Sequence, residues 1–104
     1  MVESERYLPQ GPYPFTREAI ESLRENCGIF VLYNNEGCVL VGQTNNLRSK
    51  ILQLLEEPDE CLMQHRPSHL EIEPLDPLEV WSRWQAFIKG LGIRGIRPLC
   101  GSEL

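Results

Sequence analysis

Apolar and polar positions change period several times along this chain, and each change marks an element. From Phe15 the pattern is helical: Thr16 can cap, Glu18 suits a first turn, Ala19, Ile20 and Leu23 share a face, and Phe15 can staple onto Ile20. This predicts a short helix ending near Asn26. Residues 28–33 (GIFVLY) and 38–42 (CVLVG) are β-rich runs separated by NNEG, a stretch tolerant of positive φ, and together they predict a hairpin. Both runs are apolar on both faces, so at least one lies in a sheet covered by a flanking helix. After Gln43, Thr44 or Asn45 can cap a second helix with Leu47, Ile51, Leu54 and Leu55 on one side, ended by Pro58. The segment between this helix and residue 69 reads as a polar loop.

Residues 69–73 (HLEIE) alternate with period two, which predicts a third strand with Leu70 and Ile72 inward and its acidic face in solvent. Asp76-Pro77-Leu78-Glu79 then supplies a cap and a proline at the first helical position. The helix it starts is expected to run to about Lys89, burying Leu78, Trp81, Trp84 and Ile88, with Glu79 as a capping residue. Trp81 and Trp84, three residues apart, read as core rather than as a base-stacking pair. Gly90, Gly92 and Gly95 interrupt the helical pattern and leave a basic, glycine-rich tail. The proline- and glycine-containing residues 1–14 read as a flexible, extended leader, and residues 15–104 as a single domain.

A length of 104 residues excludes two-lobed enzymes, and 41% apolar with 24% charged residues is ordinary globular usage. No run approaches the about 18 apolar residues of a membrane helix, and the N-terminus lacks a signal-peptide pattern, so the expectation is a cytoplasmic protein with no membrane partner. A net charge of −5 argues against a generally basic nucleic-acid binder. Any phosphate site must therefore be local. Cys27, Cys38, Cys61 and Cys100 are widely spread without a CxxC pair, and read as four reduced thiols. Cys61, His65 and His69 have a zinc-like spacing, but Pro67 interrupts the helix that would align the histidines, so no metal site is expected.

Three segments carry a resemblance: Gly28-Ile29-Phe30, then Leu40-Val41-Gly42 with Gln43-Thr44, then Asn46-Leu47-Arg48. In this order and spacing the chain resembles the GIY-YIG nuclease family over about residues 15–98, with Phe87-Ile88-Lys89 and Pro98 resembling the family's final helix and its proline. The resemblance implies an α+β fold, a small three-stranded antiparallel sheet flanked by helices. It implies divalent-metal-dependent cleavage of DNA phosphodiesters as the ancestral chemistry, which needs an activated nucleophile, neutralised phosphate oxygens and a metal held by oxygen ligands.

Position by position, that machinery is dismantled. The family's first tyrosine corresponds to Phe30 and its second to Leu40, and neither offers a hydroxyl. The metal-binding glutamate falls at Trp84 or Gln85, and the terminal asparagine has no counterpart after Pro98. Arg48 alone matches, keeping a planar fork for phosphate oxygens. The implied function is a noncatalytic module binding nucleic acid or protein, with Arg48, Lys50, Arg94 and Arg97 as the nucleic-acid-binding candidates and no cofactor. The alternative is an active endonuclease with Mg2+ or Mn2+, recruiting Tyr33, His65 or Glu79 around Arg48.

Overall fold

The computed structural model describes residues 10–103. Its elements run β1 (Gln10–Pro14), α1 (Arg17–Glu21), β2 (Gly28–Asn34), β3 (Gly37–Thr44), α2 (Leu47–Glu56), α3 (Glu60–His65), β4 (His69–Pro74), α4 (Val80–Arg94) and β5 (Ser102–Glu103). The class is α+β, with four helices and one mixed sheet in the order β1-β4-β2-β3-β5. The sheet is five-stranded, not three-stranded. At its centre β2 pairs antiparallel with both β3 and β4, and short strands extend both edges: β1 antiparallel on β4, β5 parallel on β3. Edge strands this short, one of them bearing glycine and two prolines, escape periodicity rules. Gln10–Pro14, read in sequence as leader, is held instead by pairing such as Tyr13 with Leu70, while residues 1–9 lie outside the described residues.

The hairpin forms as the sequence predicts, Phe30 standing opposite Gly42 and Val31 opposite Val41. Alternation along β2 then sorts side chains between two cores. Phe30 and Leu32 join Ile20, Leu47, Ile51, Leu62, Leu70 and Ile72 on the face covered by α1, α2 and α3. Ile29, on the opposite face, joins Val41, Leu75, Val80, Trp84 and Leu91 under α4. Phe15 packs against the first cluster, which contains Ile20.

Several local expectations shift. The first helix stops at Glu21, capped by Thr16 accepting from the Ala19 amide. The cap of α2 is Asn46, which accepts from the Ser49 amide, while Thr44 Oγ1 accepts from the Asn46 amide one step earlier. The loop before residue 69 contains α3, started by Asp59 accepting from the Leu62 amide. Six residues are too few for a helical period to show in sequence.

The last helix differs most. Asp76 caps a turn by accepting from the Leu78 amide, and regular helix begins only at Val80, where Glu79 makes no side-chain cap bond. That phase places Val80, Trp84 and Leu91 inward. Leu78 is 93% exposed and Trp81 56% exposed, so the expected stripe holds only at Trp84 and half-buried Ile88. Gly90 and Gly92 stay helical, and the helix ends at Arg94, where Gly95 adopts φ 73° and the Ile96 amide reaches back to the Leu91 carbonyl.

Cys61 and Cys100 form a disulfide, which corrects the expectation of four reduced thiols; Cys27 and Cys38 are free. The pairing is tertiary in origin. The Cys100 amide bonds the Val39 carbonyl at 2.6 Å, laying the C-terminal segment beside β3 and bringing it to α3. No helix among the described residues is long and apolar enough to cross a membrane.

Candidate functional site

The motif residues lie where β2, β3 and the start of α2 meet, and packing accounts for most of them. Phe30 is fully buried and Leu40 nearly so, both in the first core. A Cβ on Gly42 would collide with the Phe30 ring, its Cε2 lying only 2.7 Å away. A Cβ on Gly28 would sit 2.9 Å from Leu47 Cδ1 and strike the Glu73 carbonyl of β4. Glycine at these two positions lets β2 approach its neighbours and lets a large ring lie across the hairpin. Ile29 and Val41 fill the second core. None of the six presents a polar side-chain atom.

Arg48, on the first turn of α2, forms an ion pair with Glu25 from the loop after α1. Lys50 Nζ lies 2.6 Å from Glu103 Oε1 on β5. Both candidate cations are thus compensated by carboxylates distant in sequence, and both pairs are partly exposed. Arg94 stands at the end of α4, on the opposite side of the sheet from α2, and its Nε reaches the Gly90 carbonyl only at 3.4 Å. Arg97 is exposed in the segment leading to β5. The four candidates therefore do not converge on one patch.

Trp84, one of the two positions that the sequence resemblance sets against a metal glutamate, is 3% exposed and packed in the second core beside Phe87, with ring centroids 6.1 Å apart. Gln85 is exposed. Cys61 is committed to its disulfide and offers no thiolate to a metal, while His69 Nδ1 lies 3.0 Å from Ser68 Oγ. No group of three or more metal-ligating side chains occurs among the described residues. Glu79 stands at the start of α4 and is exposed.

A polar arrangement that sequence reasoning missed lies on the α4 side of β4. Glu73, expected in solvent, is 7% exposed and receives Arg83 Nη2 on both oxygens, at 3.1 and 2.8 Å. Arg83 therefore ties α4 to the sheet rather than adding to a basic surface. Farther along the same sheet, burial and a hydrogen bond to the Glu71 carboxylate push the Tyr33 hydroxyl up to about 12. Burial also raises the Cys38 thiol. A pKa this high keeps Tyr33 protonated at neutral pH, as a hydrogen-bond donor rather than a base.

No family model matches the chain, and neither the curated proteins nor the solved structures contain a match to it.

Proposed function

We propose that the chain is a noncatalytic, GIY-YIG-nuclease-like binding module and that its partner is a protein rather than a nucleic acid. The pairing of Arg48 with Glu25 and of Lys50 with Glu103 carries this reading. Each phosphate contact by these cations would first have to displace a carboxylate, in a chain whose net charge is already −5. The apolar positions 30, 40 and 84 support the absence of hydrolysis, since none supplies a proton carrier or a metal ligand. In favour of a protein partner, Leu78 and Trp81 stand exposed at the start of α4, where a large aromatic near an aliphatic residue suits a contact centre.

The test joins two measurements. Fluorescence anisotropy with labelled duplex and single-stranded DNA at low salt, with Mg2+ or Mn2+ present, should show neither saturable binding nor cleavage. Affinity capture from the native host should retain a protein that Arg48→Ala keeps and the double variant Leu78→Ser/Trp81→Ser loses. DNA binding with a steep salt dependence, or cleavage, that disappears in Arg48→Ala overturns the proposal.

A further inference from the structure

A cleft of about 460 Å³ opens between β1, the loop 22–27, the start of α2 and the end of β4. Its volume falls within the range of small-molecule sites. Leu23, Leu47 and Ile72 of the first core form the apolar part of its wall together with Pro74. Above them Gln10 and Tyr13 contribute from β1, and Arg24 and Asn26 from the loop. Among the described residues, none of these four side chains has a hydrogen bond or ion pair.

The loop is held at two successive carbonyls. The Leu47 amide bonds the Asn26 carbonyl at 2.8 Å, and the Leu75 amide bonds the Cys27 carbonyl at 2.9 Å. Such anchoring lowers the ordering cost of binding. The charges on this loop are also divided unequally: Glu25 is engaged by Arg48, so it does not neutralise Arg24 beside it. Among the described residues, Arg24 is the sole charged side chain lining the cleft.

We propose that this cleft binds a small monocarboxylate carrying an apolar body. The guanidinium of Arg24 receives the carboxylate through two parallel N–H···O bonds. The Asn26 side-chain amide donates to a remaining lone pair of the carboxylate, and the Gln10 amide and the Tyr13 hydroxyl hydrogen-bond polar substituents near the charged end. The apolar body rests over Leu23, Leu47 and Ile72. One cation among neutral donors suits a single negative charge better than a dianion.

The probe is hexanoate, titrated into the full-length 15N-labelled protein and followed by amide chemical shifts, with hexylamine, hexanol and inorganic phosphate as parallel arms. Saturable shifts are expected at residues 10, 13, 23–26, 47 and 72, with a Kd on the order of 1 mM for so small a ligand. Hexanol and hexylamine should bind at least about tenfold more weakly, as should hexanoate to Arg24→Gln, the loss of one charge-assisted contact. Arg24 is exposed, so the variant should keep the wild-type spectrum outside the cleft, and Asn26→Ala gives a second, smaller loss. Scattered or non-saturating shifts, an equal response to hexylamine, tighter binding of phosphate, or unchanged affinity in both variants each overturn the proposal.

Discussion

The two faces of the sheet are built differently. On one, α1, α2 and α3 lie over Phe30, Leu32, Leu40, Leu70 and Ile72, and the apolar side chains interlock into a core that contains every fully buried large side chain but Val41. On the other, α4 alone covers Ile29 and Val41, leaving Val31 and Tyr33 half-buried, with the Glu73–Arg83 ion pair fastening the helix to the sheet. A closed face derives its stability from packing density, so its residues have little freedom to do chemistry. A half-covered face keeps hydrogen-bonding groups and an aromatic side chain within reach of a partner. Phe30 and Leu40, the two positions that the sequence resemblance sets against signature tyrosines, lie on the closed face and serve packing.

The largest effect should come from the closed face. Phe30→Ala removes a ring that Gly42 leaves room for, and should cost about 3–5 kcal/mol by lost transfer and cavity formation. Trp81→Ala on the other side removes an even larger ring that stays 56% exposed, and should cost less than about 1 kcal/mol. Urea denaturation of both variants makes the comparison, and equal losses would dissolve the distinction between the faces.

Next in size is the covalent link that closes the edge of the well-packed side. Cys61 and Cys100 are 39 residues apart, and a loop of that length corresponds to about 4 kcal/mol of restricted unfolded chain. Reduction should lower the urea midpoint accordingly. Cys61→Ser should reproduce the reduced curve, whereas a Cys27→Ser/Cys38→Ser variant should still respond to reductant. A midpoint indifferent to reductant would leave packing alone holding that edge.

The smallest effect belongs to the half-covered face and depends on pH. Tyr33 has its folded pKa raised to about 12, against an ordinary value of 10. The folded state therefore holds this proton more tightly than the unfolded state does. The stability it contributes is complete below about pH 10 and declines as pH rises toward 12, because the unfolded chain ionises first. Tyr33→Phe should be less sensitive to alkali than wild type between about pH 10 and 12, measured by urea midpoints. An identical pH profile in the variant would mean that Glu71 and burial leave the hydroxyl unshifted.

Much of the central architecture was legible along the chain. The hairpin came from two apolar runs around NNEG, α2 from its repeating leucines and isoleucine, and the inward Leu70 and Ile72 from strict alternation, because each of these signals spans enough residues for its period to register. At the motif itself, sequence showed which side chains lack chemistry, since a phenylalanine or leucine has no hydroxyl in any environment. What it could not supply were relations between residues far apart. The edge strands β1 and β5 exist only because β4 and β3 present unpaired backbone to them. The phase of α4 was decided by which residue first met the core: Val80 started the helix, and that choice turned Trp84 inward and Trp81 outward. Arg48 and Glu25, Lys50 and Glu103, Glu73 and Arg83, and the two bonded cysteines are likewise tertiary pairings. A side chain's charge and shape are local properties written in its code, whereas the group that compensates or covers it is set by the path of the whole backbone.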